Sequence, residues 1–95
     1  MPNFAGMPTV QIIIRGKVQG VFYRASAQEE ALRLGITGWV RNSADGNVVI
    51  CASGRREILN TFIEWARTGP RKAKVSTVEV KELPEEHFHT FVISR

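Results

Sequence analysis

Residues 9–35 read TVQIIIRGKVQGVFYRASAQEEALRLG, and two hydrophobic periods meet in this stretch. Val10, Ile12 and Ile14 alternate with the residues between them, which predicts a β-strand with one buried face. From about residue 21 the period becomes helical, and the apolar residues form one stripe at Tyr23, Ala27, Ala31 and Leu34. Gly35 follows, and glycine is common just past the end of a helix. The stretch therefore predicts a strand, a glycine-bounded loop and a helix.

The residues that follow predict a β-hairpin. Residues 36–42 predict a second strand, and Val48, Ile50 and Ala52 alternate along a third. Asp45-Gly46 lies between these two strands, and this dipeptide tolerates the positive φ angles of a hairpin turn. The second and third strands are therefore predicted to pair as a β-hairpin.

A second helix and two further strands complete the pattern. Residues 55–67 carry apolar residues at helical spacing, and Gly69-Pro70 ends this helix. Residues 75–83 predict a fourth strand, in which Val75 differs in parity from the apolar residues after it, as at a β-bulge. Phe91 and Ile93 mark a short last strand. The order predicts an α+β fold: a ferredoxin-like βαββαβ sandwich with two helices on one face of an antiparallel sheet and a short extra C-terminal strand.

The composition is that of one globular domain. The chain has 95 residues, of which 43% are hydrophobic and 23% are charged. We assign residues 9–95 to the domain and residues 1–8, which show no periodicity, to a flexible N-terminal tail. No apolar run approaches the length that spans a membrane, and the N-terminus lacks the pattern of a secretory signal. We expect a cytoplasmic monomer that does not bind membranes.

The charged and metal-ligating residues narrow the classes of partner. The formal net charge is +4, which favours an anionic partner: nucleic acid, an acidic lipid or a small phosphorylated substrate. Cys51 is the single cysteine, which excludes an intramolecular disulfide framework and any multi-cysteine metal site. His87 and His89 are too few for the usual catalytic zinc shell unless carboxylates complete it. We expect no metal and no cofactor.

The loop Gly16-Lys17-Val18-Gln19-Gly20 is the first candidate for a binding site. A short loop with glycines at both ends lets backbone N–H groups converge, and it leads into the positive end of a helix dipole, where anions bind. Glycines at a strand–helix junction also occur as ordinary turn residues. The loop lacks the Gly-Lys-Ser/Thr ending of a P-loop and the glycine spacing of a dinucleotide-binding turn.

Arg24 is placed where a cation is disfavoured. It lies in the first turn of the predicted helix, near the positive end of the dipole, which costs about 0.3–1 kcal/mol. Because helical side chains point toward the helix N-terminus, Arg24 should lean over the glycine loop. Its guanidinium could simply reach water past the core. Alternatively, the guanidinium and the loop amides share one anion, and the planar fork suits a phosphate.

Asn42 is the second polar residue in an unexpected place. It shares parity with Val40, so its amide begins on the core side of the second strand, although asparagine is depleted in strands. It could initiate the turn that follows. Alternatively, its amide orients a water molecule or a ligand.

Two blocks of sequence carry a resemblance to a known family: Gly16-Lys17-Val18-Gln19-Gly20-Val21-Phe22-Tyr23-Arg24 and Gly38-Trp39-Val40-Arg41-Asn42. Together with Leu34-Gly35, Asp45-Gly46 and Gly69-Pro70, they resemble the acylphosphatases, in register from residue 10 to residue 95. Two positions depart from the family pattern. Val49 stands where the family often has glutamate, and Tyr23 replaces a frequent phenylalanine.

The resemblance implies an enzyme that hydrolyses acyl phosphates to a carboxylate and inorganic phosphate without a metal. It implies that the phosphate group is held by Arg24 and by the loop residues Gly16, Lys17, Val18, Gln19, Gly20, Val21 and Phe22, through their backbone amides. It also implies that Asn42 positions the attacking water. The expected partner is a small-molecule acyl phosphate.

Two other kinds of function are open to this topology. An RNA-recognition domain has the same βαββαβ order, but it stacks bases on aromatic residues of its central strands. Residues 47–53 contain no aromatic residue, so we expect no nucleic-acid partner. An anion-sensing module would keep the loop and bind phosphate without turnover.

Overall fold

The elements follow one another along the chain in the predicted order. A computed structural model of the chain describes residues 7–95. Its strands and helices are β1 (Thr9–Lys17), α1 (Tyr23–Leu34), β2 (Thr37–Asn42), β3 (Val48–Ser53), α2 (Arg56–Thr68), β4 (Lys74–Leu83) and β5 (Phe91–Ile93).

Of the tail predicted for residues 1–8, residues 1–6 lie outside the described residues. The carbonyl of Pro8 accepts a hydrogen bond from the N–H of Gly54 at 3.2 Å. Neither described helix is long and apolar enough to cross a membrane.

The strands form one sheet in the order β4-β1-β3-β2-β5. The first four strands pair antiparallel, as predicted for a ferredoxin-like fold. The terminal strand β5 differs, because it pairs parallel to β2, so the sheet as a whole is mixed. The alternation of apolar residues predicts a strand but not its direction. Residues 84–90 carry the chain from the β4 edge to the opposite edge, where β5 enters alongside β2.

The core lies between the sheet and the two helices. Ile12 of β1 and Val40 of β2 both pair with Ile50 of the central strand β3, and all three side chains are fully buried. Both helices pack on this face, α1 over β2 and β5 and α2 over β4 and β1, and they contact each other. Their apolar stripes supply the other half of the core, with Ala27, Ala31, Leu59, Phe62 and Ala66 fully buried. The sandwich predicted from the two periods is confirmed.

The opposite face of the sheet is partly covered as well. Thr9 and Ser53 side chains lie 2.6 Å apart through their hydroxyls, and both bond to the backbone of Glu86 in the 84–90 crossing. Val49 and Cys51 of the central strand are buried on this face, with 7% and 3% of their surface exposed. Burial raises the pKa of the Cys51 thiol, so the thiolate form that would react is disfavoured.

The predicted β-bulge lies where β1 meets β4. Arg15 pairs with Thr77 and Gly16 with Val75, so Ser76 is the extra residue on β4. Gly16 has φ 130°, and a Cβ placed on it would lie 2.2 Å from the carbonyl oxygen of Lys74. Only glycine permits this close approach. The bulge thus fixes the point at which β1 passes into the loop.

The helix α1 begins later than the periodicity predicts, at Tyr23 instead of about residue 21. The cause is Phe22, which adopts the left-handed conformation with φ 65° and cannot join a right-handed helix. At the other end Gly35 has φ 75°, and the N–H groups of Gly35 and Ile36 bond to the carbonyls of Leu32 and Ala31. The predicted glycine stop is confirmed, and the loop before the helix extends through residue 22.

Tyr23 joins the start of α1 to the end of α2. Its buried hydroxyl donates a 2.7 Å hydrogen bond to the carbonyl of Ala66. Four residues after Ala66 stands Pro70, which has no N–H to offer that carbonyl. The tyrosine hydroxyl therefore supplies the donor that the backbone lacks. Burial also raises the pKa of Tyr23, which keeps the hydroxyl protonated and able to donate.

Replacing Tyr23 with phenylalanine should lower the free energy of unfolding by about 1–3 kcal/mol, because the buried carbonyl of Ala66 loses the hydrogen bond from the Tyr23 hydroxyl. Urea denaturation followed by circular dichroism measures this change. The ring itself is retained, so the packing against Trp65, whose ring centroid lies 5.4 Å away, should be preserved. An unchanged denaturation midpoint would contradict the role given to the hydroxyl.

Candidate active site

A cavity of about 690 Å³ opens where the β1–α1 loop meets the end of β2. Its lining includes five of the predicted site residues: Val18, Gly20, Phe22, Arg24 and Asn42. The two polar side chains predicted from separate parts of the sequence therefore face one space. The remaining predicted loop residues, Gly16, Lys17, Gln19 and Val21, do not line this cavity.

The four loop residues away from the cavity hold the loop in place or face water. Gly16 forms the bulge against β4, and Val21 is buried in the core with 6% of its surface exposed. Gln19 bonds to the β2–β3 turn. Lys17 is exposed and pairs in register with Lys74 on β4. Any contribution of these four to an anion site is therefore made through the backbone or through long-range charge.

The loop leaves a row of backbone donors without acceptors. Among the hydrogen bonds of residues 7–95, none is donated by an N–H group of residues 18–24. Gly20 and Phe22 adopt left-handed conformations with φ 73° and 65°, and the right-handed helix begins directly after Phe22. Alternation of left-handed and right-handed residues is typical of backbone nests, in which successive N–H groups turn toward one side and can bind an anion. The positive end of the α1 dipole adds to the same field.

Arg24 supplies a formal positive charge beside these N–H groups. It is the second residue of α1, it is half-buried, and it lines the cavity. Within the described part of the chain, no carboxylate forms an ion pair with it. A half-buried cation at the positive end of a helix is energetically unfavourable when no counter-ion lies beside it. An anion in the cavity would neutralise this charge.

Asn42 presents a buried acceptor without a donor. It is the last residue of β2, half-buried, and shares the core-side parity of Val40, as predicted. Its Oδ1 is buried, and no group in residues 7–95 donates to it. The turn that follows is closed without its side chain: the Ser43 N–H bonds to the Asn47 carbonyl, and the Ser43 hydroxyl bonds to Asp45. That bond also lowers the pKa of Asp45. The side chain of Asn42 is therefore not needed for the turn and is available to a water molecule or ligand.

Gln19 connects the loop to the strand end that carries Asn42. Its Nε2 donates to the carbonyl of Ser43 at 2.9 Å and to that of Asn47 at 2.8 Å. Both carbonyls belong to the turn directly after Asn42. The two halves of the cavity are thus tied together by one side chain that does not enter it. The sequence predicts that Gln19 lies in the loop, but it contains no signal for these distant partners.

The C-terminal residues form a part of the lining that sequence analysis missed. Ile93, Ser94 and Arg95 all face the cavity. The Ser94 N–H bonds to the carbonyl of Val40 at 2.8 Å, which holds this segment beside β2. The short apolar pattern of β5 predicted a strand, but it contained no signal for the parallel pairing that brings these residues to the site.

The other reactive side chains lie elsewhere. His87 is exposed and lies 3.7 Å from Glu85, and His89 is exposed on the same connection. Neither lines the cavity, and neither does Cys51. Among residues 7–95, no three metal-ligating side chains are grouped so that they could hold a metal ion. The chemically distinctive groups of the cavity are therefore a guanidinium, a carboxamide and backbone N–H donors.

Comparison with known proteins identifies a family. The family model described as Acylphosphatase matches residues 10–93. An acylphosphatase of Azoarcus sp. (strain BH72) is 57% identical over 67 residues, which are 70% of this chain and 68% of that protein. The acylphosphatase structure from Coxiella burnetii superposes with a TM-score of 0.90 at 36% identity and covers 94% of each chain. The one from Bacillus subtilis has a TM-score of 0.90 at 37% identity and covers 93% of this chain and 99% of that chain.

Replacing Gln19 with leucine should loosen the loop and the turn together, because both hydrogen bonds between them are lost. Amide hydrogen exchange should become faster at Ser43 and Gly46, whose N–H groups are hydrogen-bonded within the turn. Nitrogen-15 relaxation should show larger backbone fluctuations in residues 18–22, whose N–H groups have no acceptors among residues 7–95. The matched control is Gln28→Leu, which removes the single bond from Gln28 to the Phe91 carbonyl and should leave both measurements near those of the wild type. Unchanged exchange and relaxation in Gln19→Leu would show that the connection does not order the site.

Proposed function

The chain belongs to the acylphosphatase family, and from this membership we propose how its own residues hydrolyse the carboxyl–phosphate bond of an acyl phosphate. Acylphosphatases convert an acyl phosphate and water to a carboxylate and inorganic phosphate. The observation that carries the proposal is that three groups without partners among residues 7–95 meet in one cavity: backbone N–H groups, the guanidinium of Arg24 and the Oδ1 of Asn42.

The loop and Arg24 bind the phosphate group in this proposal. Of residues 18–24, all but Gln19 and Val21 line the cavity. Their N–H groups, which have no acceptors among residues 7–95, and the guanidinium offer several donors to the non-bridging oxygens. Phosphoryl transfer requires mainly positioning and stabilisation of charge on those oxygens. Donors that are already in place do not have to reorganise as the reaction proceeds, so they stabilise the transition state strongly.

Asn42 positions the attacking water. Its buried Oδ1 lacks a donor, and a water molecule would supply one. The amide is neutral and too weak a base to remove a proton, so its role is orientation. The water oxygen forms a bond to phosphorus while the bond from phosphorus to the carboxyl oxygen breaks, and that electron pair leaves with the carboxylate. The proton of the water passes to a phosphate oxygen. Because carboxylate is a good leaving group, no side chain has to protonate it.

In this proposal the enzyme is a monomer that needs no metal ion. It acts in the cytoplasm on small acyl phosphates and has no nucleic-acid partner. A single chain contributes the loop, Arg24 and Asn42, so one copy is sufficient for the site. Arg24 and the backbone donors supply the positive potential that a metal ion gives in other phosphoryl-transfer sites. The unpaired Cys51 fits a reducing compartment. No observation favours RNA binding or anion sensing without turnover.

Arg24→Gln and Asn42→Ala should each reduce kcat/KM for benzoyl phosphate by about 10²–10³-fold, the usual cost of losing one preorganised electrostatic contact. Phosphate release measures the rate, and circular dichroism confirms that each variant is folded. The matched controls are Arg41→Gln, an exposed arginine above the Trp39 ring, and Asn60→Ala, an exposed residue of α2. Both controls should keep the wild-type rate. A variant of Arg24 or Asn42 that also kept it would show that its role is assigned wrongly.

Treatment with EDTA should leave the rate of acyl phosphate hydrolysis unchanged, since Arg24 and the loop amides neutralise the phosphate charge. The assay follows phosphate release by the wild type before and after treatment with the chelator. Inactivation by EDTA, reversed by a divalent metal ion, would refute the metal-independent mechanism.

A further inference from the structure

The backbone and the ring of Phe22 serve different purposes. The backbone closes the loop in the left-handed conformation, whereas the ring lines the cavity and has 75% of its surface exposed. Glycine would adopt this conformation without strain, and a ring left mostly in water contributes little to folding. The stability of the domain therefore does not explain a phenylalanine at this position.

Ile93 is a second exposed apolar side chain at the same cavity. It is the last residue of β5, 40% of it is exposed, and it lines the cavity together with Phe22. Ala25 of the first turn of α1 adds a smaller apolar surface. The lining thus has two parts. Arg24 and Asn42 form its polar part, and the side chains of Phe22, Ile93 and Ala25 form an apolar part that neither binds phosphate nor completes the core.

The cavity has room for more than the phosphate group. Its volume of about 690 Å³ lies in the range of pockets that hold whole organic ligands. In an acyl phosphate, one oxygen atom separates the carbonyl carbon from phosphorus. If the phosphate lies at Arg24, the acyl group must therefore begin inside the same cavity, within reach of the apolar side chains.

We propose that Phe22 and Ile93 bind the acyl group and make the site selective for acyl phosphates whose acyl group is apolar, with aromatic groups preferred. This inference rests on the proposed function. An apolar acyl group would remove the two side chains from water, which is favourable in proportion to the area covered. An aromatic group would also pack against the Phe22 ring in the offset or edge-to-face geometry that aromatic pairs adopt.

Arg95 suggests the competing class, an acyl group with its own negative charge. Arg95 lines the cavity but is exposed. A contact between an exposed arginine and a carboxylate is weak, because water screens both charges. The exposed apolar area at Phe22 and Ile93 therefore favours an apolar acyl group over an anionic one.

Calorimetric binding of three phosphonates tests this choice without turnover. Methylphosphonate, phenylphosphonate and phosphonoacetate share the anionic head group and differ in the substituent. Wild type should bind phenylphosphonate about ten-fold more tightly than methylphosphonate. Phe22→Ala should bring the two affinities to within about two-fold of each other, and Phe22→Leu should keep part of the difference. Equal affinities in the wild type, or tighter binding of phosphonoacetate than of phenylphosphonate, would overturn the inference.

The ratio of kcat/KM for benzoyl phosphate to that for acetyl phosphate gives the corresponding test on turnover. The ratio should fall about ten-fold in Phe22→Ala and also fall in Ile93→Ala. Leu32→Ala is the control, because Leu32 is an exposed apolar residue of α1, with 52% exposure, that does not line the cavity. Its ratio should match that of the wild type. Circular dichroism confirms that each variant is folded.

The two levels of the inference fail differently in this assay. Hydrolysis of neither acyl phosphate by the wild type would refute the proposed function itself. Hydrolysis of both, with the same ratio in the wild type, Phe22→Ala and Ile93→Ala, would leave the function intact and refute only the assignment of the acyl group.

Discussion

The structure depends on a loop that turns from β1 into α1 while leaving its N–H groups without acceptors. A left-handed residue other than glycine destabilises the folded chain, and the left-handed Phe22 costs about 1–3 kcal/mol. Such a loop holds its shape only if its surroundings fix it. The surrounding contacts come from every direction: the bulge at Gly16, the buried Val18 and Val21, and the bonds of Gln19 to the turn after β2. The rest of the fold thus holds the strained residue Phe22 and the N–H groups beside it in place.

Most charged side chains contribute little to the structure or the site, and Arg24 is the exception. Arg15–Glu79 and Arg56–Glu82 are exposed ion pairs, and such pairs contribute little to stability. The net charge of +4 therefore says little about the function, since it results from cations spread over the surface. Arg24 is different because it is half-buried, unpaired among the described residues and close to the positive end of a helix. One cation in an unfavourable place is more informative than the total.

Hydrophobic periodicity predicted most of the fold, whereas the candidate site residues were indicated by polar side chains in locally unfavourable positions. The alternation at Ile12 and Ile50 and the stripe of α1 predicted a sheet with helices on one face, because this arrangement buries both patterns in one core. Arg24 and Asn42 were identified as a cation and an amide where local preferences disfavour them. The connection from Gln19 to Ser43 and Asn47 could not be predicted in this way, because a glutamine in a loop has no preferred distant partner. The parallel pairing of β5, which brings Ile93 to the cavity, was also hidden, since alternation is the same in either direction.

The loop residues divide into those that support the fold and those that are available to a ligand. A residue that supports the fold satisfies the preferences of its position, as Val21 does by burying its side chain and Gly16 by fitting against β4. A residue that serves the ligand leaves a preference unsatisfied until the ligand is present. The N–H groups of the loop, the guanidinium of Arg24 and the Oδ1 of Asn42 all lack partners within the described chain. The exposed ring of Phe22 belongs with them, because its unmet requirement is apolar contact instead of a hydrogen bond. Together these unsatisfied groups fit the proposed ligand, which has an anionic end and an apolar end.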